Sequence, residues 1–171
     1  MIVLVLGGTR SGKSEIAERI AADLGEPVTF VATAAVTDPG MAARVEAHRA
    51  RRPSTWPTIE CGEDLPEVVA GTDGTVLVDS LGTWVARAPE MRVDASGLVA
   101  ALTGRGARTV VVSEEVGLSV HAPTDVGRQF TDALGDLNVA VAGVADRALL
   151  VVAGRALPLA PVDDVFRLRD R

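Results

Sequence analysis

A three-layer α/β fold around a mainly parallel sheet is predicted by two features of the sequence. Short aliphatic and β-branched runs bounded by turn residues recur along the chain, and stretches with helical apolar spacing lie between them. The first run, Ile2 to Leu6, leads straight into the glycine-rich segment GGTRSGKS at residues 7–14, which holds the only lysine, Lys13.

Strands are expected at residues 2–6, 28–32, 75–80, 109–113 and 148–154. The stretch 14–25 has helical spacing, with Ile16, Ile20, Ala21 and Leu24 on one face and Gly25 as a C-terminal stop. A second helix is expected in the segment 41–52, ended by Pro53. A third lies within 126–146, striped by Val126, Phe130, Leu134, Leu137 and Val141, and delivers the chain to the last strand. No linker or repeat interrupts the pattern, so residues 1–171 are expected to form a single nucleotide-binding domain, with the tail 160–171 either docked or frayed.

Composition narrows the function. Aromatic residues are 3% with no Tyr, so base-stacking platforms are not expected, and the net charge of −6 with a pI near 4.9 opposes polynucleotide binding. Sixteen of the seventeen basic residues are Arg, so an Arg at any one place says little. The single cysteine, Cys61, cannot form an internal disulfide and reads as a small buried apolar residue. The opening MIVLVLGG is too short for a signal-peptide core, and no apolar run reaches membrane-spanning length, so a cytoplasmic location is expected.

The pattern G-x-x-x-x-G-K-[ST] is met by Gly7, Gly12, Lys13 and Ser14, between a buried strand and a helix start. Glycines let backbone N–H groups curl around a phosphate, and the following helix aims its positive end at the same anion. Lys13 then neutralises the outer phosphates and the Ser14 hydroxyl suits Mg²⁺, so the three-layer fold is that of a P-loop NTPase, RecA-like in arrangement. Asp79, at the end of the run TVLVDS, stands where a metal-binding acid belongs; capping the next helix is the plainer reading, and contact through water would look the same.

A GTPase switch is excluded, because its guanine-reading loop needs an Asn-Lys-x-Asp set while the only Asn is Asn138. The segment MAARVEAHRARRPSTWPTIE places Arg44, His48, Arg51 and Arg52 three or four residues apart on one helical face. A solvated basic helix with an incidental His is one reading. The other is an imidazole kept neutral and nucleophilic by neighbouring guanidiniums that hold a triphosphate for attack.

In order along residues 1–159, GGTRSGKS, FVATA, MAARVEAHRARRPSTWPTIE, LVDSLGTWV, VVVSEEVGLSVHAPTDVGRQFTDALGDLN and VVAGRALPL resemble the bifunctional adenosylcobinamide kinase / adenosylcobinamide-phosphate guanylyltransferase family. The resemblance implies phosphorylation of adenosylcobinamide by ATP or GTP, then transfer of GMP from GTP to that phosphate, giving adenosylcobinamide-GDP and pyrophosphate. It implies a GMP-histidine at His48, with Lys13 and Asp79 also catalytic, and Mg²⁺ held by Ser14 and Asp79. Nucleotide-binding positions carry over to Gly7, Gly8, Thr9, Arg10, Ser11, Gly12, Lys13 and Ser14, to Ala32, Thr33 and Ala34, to Arg49, Ala50, Arg51 and Arg52, and to Glu60 and Asp79. Glu60 could accept from guanine N1–H and the exocyclic amine. A homotrimer is implied as well.

The chain departs from the family pattern in having Glu114 where Asn is common, Ser80 where Cys or another small residue is common, and AGRALPL, with Arg155, for a shorter AGLPL. The added charge of Glu114 bears on kinase efficiency and metal binding. His121, in a Pro-containing loop without a charged cluster, is expected to be non-catalytic, and Trp56 to pack its loop rather than stack on a base. Two other classes remain: a small-metabolite P-loop kinase in which the His48 helix is only a lid, and a RecA-like module coupling NTP hydrolysis to a protein partner.

Overall fold

The computed structural model describes residues 1–34, 46, 49–118 and 122–167. Strand β1 (Ile2–Gly7) is followed by α1 (Lys13–Leu24), β2 (Val28–Ala32), β3 (Thr58–Glu60), α2 (Leu65–Gly71) and β4 (Thr75–Asp79). Then come α3 (Leu81–Arg87), a 3-10 turn at Pro89–Met91, α4 (Ala95–Gly104), β5 (Thr109–Glu114), α5 (Asp125–Ala142), β6 (Arg147–Val152), β7 (Arg155–Leu159) and α6 (Val162–Arg167). The strands form one sheet in the order β3-β2-β4-β5-β1-β6-β7, parallel throughout except for the antiparallel pair β6 and β7.

The period of two along β1 separates two cores. Ile2, Leu4 and Leu6 face one side with Val76, Val78 and Val111, where they meet Leu65 and Val69 of α2, Leu81, Trp84 and Val85 of α3, Leu98 and Leu102 of α4, and Leu134, Leu137 and Val141 of α5. Val3 and Val5 face the other side with Phe30, Leu77, Val110 and Val112, covered by Ala17 and Ala21 of α1 and by Trp56. Helices on both faces of a largely parallel sheet make the expected three layers. Trp56 packs as expected, its Nε1 donating to Glu26 Oε1 at 2.8 Å.

Several features differ from expectation, each for a local reason. The run 148–154 ends at Val152, because Ala153 (φ 51°) and Gly154 (φ 73°) take left-handed conformations and turn the chain into β7. The departure AGRALPL is therefore a hairpin, with Arg155 paired to Val152. Strand β3 has only three residues and little burial, so no apolar run announces it. Ser80 is not a strand residue: it caps α3, its hydroxyl accepting from Thr83 N at 3.5 Å. In α5 the buried stripe begins after Val126, which is 63% exposed, since the first turn is spent on the cap that Thr124 gives to Gly127 N. On α1 the deepest residues are Ala17 and Ala21, with Ile16, Ile20 and Leu24 flanking them half-buried. Gly25 stops α1 at φ 110°, as expected. Of the basic helix, Glu46 and residues 49–51 are helical; Arg44 and His48 lie outside the described residues, as does His121.

Leu134 is fully buried, so Leu134→Ala is expected to cost about 2–5 kcal/mol, read as a shift of the urea midpoint at unchanged slope. Cys61 is buried in the same core, and burial first, then the Asp64 carboxylate, push its thiol up to about 11 while Arg87 opposes them. A raised folded-state pKa favours the protonated form, so this stabilisation is complete below the unfolded-state value of about 8.5 and is lost as pH rises through the folded value. Wild type is therefore expected to lose more stability than Cys61→Ala between about pH 8.5 and 11, measured by urea unfolding at each pH.

Candidate active site

Parallel strands bring their carboxyl ends to one edge of the sheet, the edge where open α/β sheets bind ligands. Here β1 ends at Gly7, β2 at Ala32, β3 at Glu60, β4 at Asp79 and β5 at Glu114. The ladders set Gly7 beside Glu114, and Ala32 between Glu60 and Asp79. A cavity of about 810 Å³ opens along this edge, room enough for a nucleotide.

The floor at one end is the P-loop. Gly12 caps α1 in a left-handed conformation (φ 93°) that a side chain would strain, and a Cβ there would approach Gly154 Cα at 3.3 Å. At Gly7 a Cβ would lie 2.5 Å from Ser11 Oγ and 2.8 Å from the Val151 carbonyl, so this position also demands glycine. The loop is braced from two sides: Gly154 N donates to Ser11 O at 2.8 Å, and Glu115 N to Gly7 O at 3.2 Å. The β6–β7 hairpin thus supports the P-loop, a role that its sequence does not announce.

Lys13 Nζ reaches into the cavity and pairs with Glu114 at 3.3 Å. Ser14 and Asp79 line the same space. Their hydroxyl and carboxylate oxygens are the hard donors Mg²⁺ takes, and two protein ligands leave positions for phosphate and water, so the donor set fits that ion. Behind this wall Thr33 is fully buried: its hydroxyl donates to Ser80 O at 2.6 Å, accepts from Ser80 N at 2.9 Å and touches Thr83 Oγ1. Its carbonyl accepts from Arg87 at 2.7 Å and its N–H donates to Asp79 O at 3.3 Å. Thr33 therefore shapes the end of β4 rather than lining the cavity.

Arg49, Arg51 and Arg52 form a cationic wall. Arg51 pairs with Glu18 of α1 at 3.4 Å, and the Arg52 guanidinium lies over the Phe30 ring at 3.5 Å. Burial lowers the pKa of Arg52 while Glu18 and Asp79 oppose that shift. Its Nε and Nη1 are buried without a hydrogen-bond partner among the described residues. Glu60, Thr58 and Phe30 border the cavity along β2 and β3.

Of the residues singled out in the sequence, Thr9, Arg10, Ser11, Gly12, Lys13, Ser14, Ala32, Ala34, Arg49, Arg51, Arg52, Glu60 and Asp79 line this one cavity. Gly7, Gly8, Thr33 and Ala50 do not line it, and His48 lies outside the described residues. Phe30 also lines the cavity, a residue hidden within an apolar strand, and the pairing of Glu114 with the lysine depends on strand order, so neither has a signature in the sequence.

A family model described as cobinamide kinase / cobinamide phosphate guanyltransferase matches residues 3–159. The bifunctional adenosylcobalamin biosynthesis protein CobP of Pseudomonas aeruginosa is 37% identical over 165 residues, covering 91% of this chain and 95% of that protein. The bifunctional adenosylcobalamin biosynthesis protein CobU of Escherichia coli is 33% identical over 176 residues, covering 90% and 97%. Among solved structures, the flagellar accessory protein FlaH of Methanocaldococcus jannaschii superposes with a TM-score of 0.53 at 16% identity, over 92% of this chain and 77% of FlaH. An ATPase of a type III secretion system gives 0.53 at 11% identity, over 99% and 61%. These distant likenesses establish the three-layer P-loop NTPase fold, and the sequence matches show that the chain belongs to the cobinamide kinase / cobinamide phosphate guanyltransferase family.

Proposed function

We propose that the protein phosphorylates the aminopropanol hydroxyl of adenosylcobinamide with ATP or GTP and then transfers GMP from GTP to the new phosphate. The observation that carries this reading is one cavity shared by Lys13, Ser14, Asp79 and the arginines that directly follow His48 in the chain. In the first step the acceptor hydroxyl gives up its proton to solvent as its oxygen bonds to the γ-phosphorus, the bond from that phosphorus to the β–γ bridging oxygen breaks, and the nucleoside diphosphate leaves. Lys13 and the P-loop N–H groups stabilise charge on the transferred group and the leaving phosphates. Mg²⁺ held by Ser14 and Asp79 would supply further charge neutralisation across the phosphate oxygens.

In the second step an imidazole nitrogen of His48 bonds to the α-phosphorus of GTP and pyrophosphate leaves. The adenosylcobinamide phosphate oxygen then attacks the same phosphorus, the P–N bond breaks, and adenosylcobinamide-GDP is released with His48 restored. Arg49, Arg51 and Arg52 are suited to the triphosphate, since all three guanidinium-bearing residues border the same cavity as the P-loop. Glu60, at the end of β3, is suited to the guanine edge. Residues 1–171 are read as one domain acting as a cytoplasmic homotrimer. Exposed apolar side chains on the last strand and helix, among them Leu157, Val162 and Phe166, support self-association.

With GTP labelled at the α-phosphate, wild type is expected to retain acid-labile, alkali-stable label after denaturation and His48→Ala to retain none. Label on neither protein would refute the covalent step and leave a kinase. Lys13→Met is expected to lower cobinamide phosphorylation about a hundredfold or more, measured as kcat/KM with ATP.

A further inference from the structure

The ammonium that a P-loop reserves for phosphate already has an anion in this protein. Glu114 closes β5 beside Gly7, and its carboxylate stands 3.3 Å from Lys13 Nζ. Two donors besides the lysine hold it there. The Ser80 hydroxyl donates to its two oxygens at 3.0 and 3.1 Å, and Gly82 N donates to Oε2 at 3.0 Å. The main chain is pinned as well, Asn138 Nδ2 of α5 donating to the Glu114 carbonyl at 3.0 Å. Residue 82 must be glycine for this arrangement, because a Cβ there would collide with the carboxylate.

Ser80 and Gly82 sit at the start of α3, where cap and backbone fix them, so when phosphate claims Lys13 the lysine moves and the carboxylate stays. A bound polyphosphate would then share the end of the cavity with two carboxylates, Asp79 and Glu114. Like charges gathered in one partly buried cavity are costly unless a cation stands between them. We infer that Glu114 is a selectivity residue of the phosphate site: its ion pair with Lys13 yields to a polyphosphate that brings a divalent cation and resists bare phosphate anions. This inference rests on the P-loop cavity being the nucleotide site.

Titration calorimetry on the full chain with GTP and with inorganic pyrophosphate, each with Mg²⁺ and with EDTA, tests it in wild type, Glu114→Gln and Glu114→Asn. Wild type is expected to bind Mg²⁺–GTP at least about tenfold more tightly than metal-free GTP. Both variants are expected to gain about tenfold or more toward metal-free GTP and pyrophosphate, and less toward Mg²⁺–GTP, which narrows the ratio. Equal binding of both forms by wild type overturns the inference without any variant. So do variants whose metal-free affinity stays within about threefold of wild type, or that weaken both forms alike, as a purely structural role would. A fall in kinase turnover with unchanged metal selectivity overturns it in favour of a catalytic role. Wild type that binds GTP in neither form instead removes the nucleotide reading itself.

Discussion

Parallel pairing is the constraint on which the site depends. In an antiparallel sheet, successive strands would end at opposite edges, whereas here five parallel strands deliver Gly7, Ala32, Glu60, Asp79 and Glu114 to one edge. Those strands can be parallel only because helices cover both faces, and the alternation of Leu4 and Val5 along β1 supplies apolar side chains to both cores. The packing that stabilises the fold and the geometry that forms the cavity are thus the same arrangement.

Electrostatics then divides the cavity. At the P-loop end Lys13 is balanced by Glu114, and Asp79 adds a second carboxylate. Along the arginine wall Arg51 is paired with Glu18 of α1, and Arg52 lies over Phe30 within reach of the Asp79 charge. A phosphate that binds Lys13 must therefore first displace its ion pair with Glu114.

Several supporting contacts come from segments that carry no recognisable chemistry. The β6–β7 hairpin braces Ser11 through Gly154, and Thr33 ties the end of β2 to both ends of α3, through Ser80 at its start and Arg87 at its last residue. Thr33, expected from the resemblance to touch nucleotide, serves its neighbours instead: every polar group it owns is engaged by protein. It orients the Asp79–Ser80 corner from behind the cavity wall.

Much of this was legible in the sequence, because local physics specified it. The glycine spacing of residues 7–12, the apolar runs of the long strands and the helical stripe through Leu134, Leu137 and Val141 each act over a few residues, and each took the expected form. Strand order, by contrast, is decided by how helices pack over the sheet, and no short segment encodes it. That order put Glu114 against Lys13, made Glu60 the end of a three-residue strand, and turned AGRALPL into a hairpin under the P-loop. The glycines and the lysine of the P-loop were legible as a phosphate-binding pattern, since backbone freedom and side-chain charge are local properties. Which carboxylate meets the lysine was decided only by tertiary structure, since residues 13 and 114 become neighbours only when β5 pairs with β1.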